Sequence, residues 1–351
     1  MRWGAFTILL AVPLLLGSDG AALRPSVEKA ISQGKLLQPP GESAWDLYQK
    51  LQSQANNQEK EQVRTALAAA LEKTGQQSIL EYMRLREPAP GEALKVVETV
   101  FTPDEFRRAA EMFGRALELR PKDAKLRARQ RFCEGRALIA EGKYSEAWAP
   151  LNEAVKLDPT AAYAHNALGL VYLNRGRWSE AAHNLQKAAQ LAPNWVYPHH
   201  NLGLAYMELQ RFGDAEREWV LAGLLASRHP FPHVNLGVLY LKMGRRQEAE
   251  REFRHAAQVD PENPAANHNL GLLFQLQNQL DQAEIHYRKA IAGDPKNVSS
   301  RINLAALYHT RGNSGKAEQE LRAVLQTDPH NEPALHMLAE LLKESKKTTP
   351  P

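Results

Sequence analysis

A chain of 351 residues would ordinarily fold as two or three domains. Its formal net charge of +4 is only mildly basic and acidic residues are interspersed throughout, which argues against a nucleic-acid binder. The densest basic run, Lys125, Arg127, Arg129 and Arg131 with Arg136 beyond, points in different directions around a helix and makes no single stripe. Cys133 is the only cysteine, so no intramolecular disulfide can form.

In chain order, residues 1–22 have the layout of a secretory signal peptide: a short positive start at Arg2, an apolar stretch from Phe6 to Leu16, and small residues from Gly17 to Ala22. The stretch is short for a membrane span, and no other segment could be one. The expectation is export to the periplasm or the medium, with cleavage near Gly20 to Ala22; the alternative is an uncleaved amino-terminal anchor. Residues 23–89 read as helical and as degenerate copies of the unit repeated in residues 90–343, or else as a separate small helical cap. Within them Ala44, Tyr48 and Leu51 fit a helix, Glu59 to Lys73 is a good helix by composition, and Gly75 before Gln77–Arg86 suggests a further hairpin. Pro39-Pro40-Gly41 and Pro88-Ala89-Pro90-Gly91 mark breaks.

Residues 90–343 carry the informative pattern. Leu-Gly recurs at Gly169, Gly203, Gly237 and Gly271, a constant spacing of 34 residues. Three residues after each glycine stands Tyr172, Tyr206, Tyr240 or Phe274, and twelve after it Ala181, Ala215, Ala249 or Ala283. A large apolar residue stands four positions later, at Leu185, Trp219, Phe253 or Tyr287. Gly135, Ala147, Ala154 and Pro159 add a unit upstream, and Ala109, Phe113, Ala116 and Pro121 half of another, with about four extra residues between them. Leu304, Tyr308, Ala317 and Pro329 add one downstream; Glu332–Lys343 reads as a closing helix, and 344–351 as a flexible polar tail.

This pattern resembles the tetratricopeptide repeat (TPR) family. The resemblance implies an all-α fold: a right-handed superhelical solenoid of antiparallel helix pairs that share one continuous core. Within each pair the glycine permits close crossing, and the aromatic three residues on fills the wedge between units. Gly142, Gly176, Gly244, Gly312 and Asn278 should turn the chain in the left-handed region, and proline should end each second helix.

The same resemblance implies a ligand groove lined by the first helices. Carried over place by place, its residues are Tyr163, Asn166, Leu170 and Asn174, then Tyr197, His200, Leu204 and Glu208. Phe231, Val234, Val238 and Lys242 come next, then His268, Leu272 and Gln275, with Arg129, Phe132 and Arg136 at the amino-terminal end. Asn201, Asn235, Asn269 and Asn303 are similar to the asparagine ladder in the repeat domain of O-linked N-acetylglucosamine transferases, where such amides hold a peptide backbone. The catalytic domain of those enzymes is absent. Leu170, Leu204 and Val238 depart from the pattern of repeats that clamp a chaperone's carboxyl terminus.

No motif for chemistry stands out. There is no His-Glu-x-x-His, Cys-x-x-Cys or dinucleotide fingerprint. Gly312–Lys316 only resembles a fragment of a phosphate loop and lies at a repeat turn. His165, His199 and His233 recur at the repeat spacing and are read as packing against the preceding unit; neighbouring rungs are too far apart to share zinc. The expectation is a non-enzymatic scaffold without cofactor or metal that binds an extended protein segment. The rival readings are a recruiting subunit of a separate transferase or protease, and an envelope-polymer or carbohydrate binder.

Overall fold

The computed structural model describes residues 19–84 and 102–348. The described residues form seventeen helices and no strand, in two compact units. The predicted signal segment up to residue 18 and the break at Pro88–Gly91 lie outside the described residues.

The first unit holds α1 (Asp19–Ser32), α2 (Ala44–Leu51), α3 (Asn57–Met83), α4 (Pro103–Leu119), α5 (Ala124–Ala140) and α6 (Tyr144–Leu157). Helix α4 starts where its sequence dictates. Thr102 caps it in a reciprocal box with Glu105, and Pro103 supplies a preformed first turn. Its buried face includes Ala109, Phe113 and Ala116, as the repeat pattern predicts, together with Phe106. The extra residues between Pro121 and Pro159 form one more turn of α5, which has 17 residues where later first helices have 12 or 13.

Helix α3 departs from expectation. It runs unbroken for 27 residues through Gly75, so the predicted hairpin there does not exist. Gly75 is a packing residue: a Cβ on it would stand 2.9 Å from the Phe113 ring. Three polar ties fix α3 to its neighbours. The Arg64 Nε donates to the Leu119 carbonyl at 2.8 Å, and Glu72 accepts from both Arg120 and Arg129, at 2.6 and 2.5 Å. These ties make the segment part of a unit with α4–α6.

The second unit is the repeat array. Its pairs are α7 (Ala162–Asn174) with α8 (Trp178–Leu191), α9 (Val196–Glu208) with α10 (Phe212–Leu225), and α11 (Phe231–Lys242) with α12 (Arg246–Val259). Then come α13 (Pro264–Leu276) with α14 (Leu280–Gly293), α15 (Val298–Thr310) with α16 (Ser314–Thr327), and the closing α17 (Glu332–Thr348). Helix α17 passes the predicted boundary after Lys343, because Glu344 to Thr348 contains no breaker.

The spacing of sixteen between glycine and large apolar residue now has a cause. Each first-helix glycine is the seat of that side chain from the second helix. A Cβ at Gly203 would stand 2.4 Å from Trp219, one at Gly237 2.5 Å from Phe253, and one at Gly271 2.6 Å from Tyr287. All three seated residues are fully buried. The buried Trp219 N–H donates to the His200 carbonyl at 3.0 Å, so the crossing leaves no indole donor unsatisfied. Tyr172, Tyr206, Tyr240, Phe274 and Tyr308 are buried as the wedges.

The turns inside the pairs are left-handed caps. Gly142, Gly176, Gly244, Gly312 and Asn278 have positive φ as expected. Gln210 does too, at 57°, a position with no glycine or asparagine to announce it. At Gly176 the next N–H, that of Arg177, reaches back to the Tyr172 carbonyl at 2.9 Å, which satisfies an end carbonyl of α7.

Candidate ligand surface on the first helices

The residues expected to line a groove fall into three groups. The first is closed. Asn166 and Asn201 are buried, with the Asn201 amide donating to the Asn166 carbonyl oxygen at 3.2 Å from α9 to α7. Tyr163 is buried as well. These residues therefore cement neighbouring repeats, and Asn201 is not an open rung. In the first unit, Arg136 is only 2% exposed, its guanidinium stacked on Tyr82 and Phe106 at 4.7 and 5.4 Å. Phe132 is fully buried against the same rings, and Arg129 is bound to Glu72. The expected pair of groove arginines is thus occupied by contacts to α3.

The second group is semi-open. Asn235 reaches His200 Nδ1 at 3.4 Å, the next rung of the same arrangement. Burial pushes the His200 imidazole down to about 4, so it is neutral near pH 7 and its Nδ1 can accept. Its ring meets Phe231 edge-on at 4.7 Å. The ladder stops at the next step for a chemical reason. The residue equivalent to Asn166 and His200 is Val234, which offers no acceptor, and Asn269 turns back to the carbonyl of Ala265 in its own helix at 2.8 Å. His268 could serve Asn303, but its Nδ1 pairs with Ser300 Oγ at 2.9 Å.

The third group is what stays accessible. Leu170, Tyr197, Leu204, Phe231, Val234, Val238, His268, Asn269, Leu272, Gln275 and Asn303 are half-buried, and Asn174, Glu208 and Lys242 at the helix ends are exposed. The half-buried part is mainly apolar and aromatic with amides toward its carboxyl-terminal end. Burial lowers the His268 imidazole, so that residue adds little positive charge near neutral pH.

One recurrent feature was missed from sequence. A polar strap joins the two helices of every pair from α7–α8 to α15–α16 at a spacing of nineteen. His165 meets Asn184 at 3.2 Å, His199 meets Glu218 at 2.7 Å, and His233 meets Glu252 at 2.8 Å. Asn267 and His286 are next at 2.9 Å, then Arg301 and Glu320 at 2.8 Å. The slot therefore serves its own unit through the strap and also reaches the end of the preceding one, where His199 Nε2 meets the Pro193 carbonyl at 3.0 Å and Asn267 donates to that of Pro261 at 2.9 Å. The signal was present as a histidine, asparagine or arginine with a complementary group nineteen places later. Equally regular, Arg177, Arg211 and Arg245 stack on Tyr172, Tyr206 and Tyr240 at 5.0, 4.4 and 4.3 Å.

Among the described residues no group of three or more His, Cys, Asp or Glu is placed to hold a metal ion. Cys133 is buried, which pushes its thiol up and keeps it unreactive. A cleft of about 440 Å³ between α12, α13 and α14 is lined by Arg254, Gln258, Leu270, Phe274, Gln282 and His286. No helix among the described residues is long and apolar enough to cross a membrane.

The same helix-pair architecture is found in solved structures. A structure titled for the functional characterization of Pseudomonas aeruginosa pilF aligns with a TM-score of 0.54 at 20% identity, covering 62% of this chain and 100% of that one. PilW, titled a type IV pilus biogenesis factor, gives 0.53 at 18% identity over 60% of this chain and 98% of its own. Yeast Tom70 gives 0.54 at 16% identity over 93% and 75%. At these identities the likeness is one of fold. No curated protein sequence matches the chain. Residues 59–341 match the family described as Cilia and flagella-associated protein 70 C-terminal domain, a span that includes α4–α16 and most of α3. The chain belongs to that family of tetratricopeptide-repeat proteins.

Proposed function

We propose that this protein is a non-catalytic scaffold that binds an extended protein segment along the first helices of α9–α15. The observation that carries the reading is the run of half-buried Tyr197, Phe231, Val234, His268 and Leu272 on successive first helices. Apolar surface left accessible along successive repeats favours an extended ligand whose side chains alternate into it. The amides that remain for backbone pairing are Asn269 and Asn303, because Asn201 is closed and Asn235 is engaged with His200.

The amino-terminal sequence supports an exported protein, and the role that fits is an assembly or adaptor factor outside the cytoplasm. Amino-terminal sequencing of the mature protein tests the address; an intact Met1 in a soluble cytoplasmic fraction would overturn it.

The binding surface is tested by selecting peptides from a random displayed library on the full chain. Tyr197→Ala and Phe231→Ala should each weaken a selected peptide about tenfold or more, since anchoring aromatics dominate such interfaces. Peptides that bind both variants as well as the unaltered chain would place the ligand elsewhere and end this reading.

A further inference from the structure

The second helices of the repeat array carry a charge pattern that the fold does not require. Counting from the buried alanine near the start of each, Ala181, Ala215, Ala249, Ala283 and Ala317, the positions two, five, six and nine residues on share one outward stripe about 100° wide. On α8, α10, α12, α14 and α16 that makes twenty positions, and all but Ala323 are exposed. Seven of the twenty are lysine or arginine and none is aspartate or glutamate. Chance would not produce this readily in a chain with 44 basic and 40 acidic residues. Four of the seven cations pair with carboxylates on the flank of the same helix, Arg217 with Asp214, Arg254 with Glu250, Arg288 with Glu284 and Arg322 with Glu318; the crest itself carries no anion.

In the middle of this stripe the polar rule breaks. Val220, Leu221 and Leu224 of α10 are 43%, 38% and 76% exposed, and Ile285 of α14 adds a single aliphatic at 47%. The equivalent positions of α12 are Arg254, His255 and Gln258, and those of α8 are Gln186, Lys187 and Gln190. An aliphatic knob therefore stands on one crest with Arg217 before it and cationic crests on both sides.

We infer that this second-helix face docks on an anionic phospholipid surface, with Val220, Leu221 and Leu224 entering the headgroup layer and the surrounding lysines and arginines meeting phosphate. Cations spread over five helices match a broad charged surface better than a single acidic peptide. Aliphatic side chains on a crest, in place of a groove, suit shallow insertion between headgroups. Nucleic acid is disfavoured because none of the twenty positions is Phe, Tyr or Trp, the residues on which bases stack. This face is separate from the first-helix surface proposed for the peptide ligand, so either can fail without the other.

The test is flotation of the full chain with vesicles of phosphatidylcholine alone and of phosphatidylcholine mixed with phosphatidylglycerol. The expected result is binding to the mixed vesicles only, with release when salt shortens the screening length. Replacing Val220, Leu221 and Leu224 together by serine should lower the bound fraction about tenfold, as loss of inserted aliphatic area predicts. Arg251→Glu with Lys289→Glu should do at least as much, while Tyr197→Ala leaves it unchanged. Should the triple variant melt early, Leu224→Ser alone reads the same effect at the most exposed position. Equal binding to both vesicle types, which insertion of Phe6–Leu16 would give, overturns the inference. So does binding to soluble polyglutamate or duplex DNA that ignores the serine changes, and so do variants that float like the unaltered chain.

Discussion

Arg211 in the repeat array and Arg136 in the amino-terminal unit both lie on aromatic rings, yet they do opposite things. Arg211 stacks on Tyr206 at 4.4 Å from an exposed turn and pairs with Asp214, so its charge stays hydrated and the contact adds little more than local order. Arg136 is buried between Tyr82 and Phe106, rings contributed by α3 and α4, and belongs to the core. In the array Arg177, Arg211 and Arg245 repeat one contact within successive units, each on the tyrosine five residues before it. In the amino-terminal unit the decisive contacts are single and join residues about fifty apart, Arg120 and Arg129 to Glu72, and Arg64 to Leu119. A repeat spreads its stability over equivalent crossings; the unit around α3 depends on a few irreplaceable ones.

The largest expected effect tests the repeated crossing. Trp219→Ala should lower stability by about 3–5 kcal/mol, because a fully buried indole leaves its seat empty. Gly203→Leu should also destabilise, by crowding the same seat. Gly203→Ala should cost less in the Trp219→Ala background than alone, since the clashing ring is gone. Additive melting shifts in that pair would mean the glycine has some other purpose.

Next comes the single-contact unit. Glu72 is partly buried, which raises its carboxyl, but Arg120 and Arg129 outweigh this and hold it below the ordinary range. Its contribution is therefore present above about pH 4.5 and is lost as pH falls through the depressed value. Glu72→Gln should cost about 1.5–3 kcal/mol near neutrality, the range for hydrogen bonds to charged groups, and the deficit should shrink in acid. A deficit independent of pH would show that α3 is held by packing alone.

A third effect belongs to the array. Burial holds His200 and His286 down to about 4, with Lys289 and Arg254 adding to the effect at His286. Both folded values lie below the unfolded imidazole's, so stability is full above about pH 6.5 and declines as pH falls toward 4. His200→Gln with His286→Gln should flatten that acid limb in a pH series of melting curves. An unchanged limb would assign it to carboxylates.

The smallest contrast separates cement from ligand contact among the asparagines. Asn201→Ala removes the bond to the buried Asn166 side-chain oxygen and should cost about 0.5–1.5 kcal/mol. Asn269→Ala, at a bond to its own exposed helix turn, should stay within about 0.5 kcal/mol. Equal effects would remove the distinction between a closed and an open end of the ladder.

These contrasts also mark what the sequence could convey. The helix pairs, glycine seats, wedges and most turns were legible because each is repeated at a fixed interval and its partner lies within the same interval. Gly75 was misread because a glycine with room for a turn and a glycine under a ring look alike until Phe113, 38 residues on, is placed beside it. The candidate surface was legible only in outline. Family places named the first helices, but whether an asparagine is open depends on the residue opposite, and Asn166, His200 and Val234 give three different answers. The groove arginines were misplaced because nothing local announces that α3 will supply Glu72, Tyr82 and the space between them.

The polar straps at a spacing of nineteen bear on a hazard peculiar to chains of near-copies. While such a chain emerges, any first helix meets several second helices with almost the same apolar face, and hydrophobic contact alone hardly separates native from shuffled partners. The straps differ at some positions where the apolar faces do not. Pairing α11 with α14 would set His233 against His286, and pairing α15 with α14 would set Arg301 against His286, where each native strap matches a donor to an acceptor. The straps thus disfavour some shuffled pairings, while the alike His199–Glu218 and His233–Glu252 leave α9–α10 and α11–α12 undistinguished.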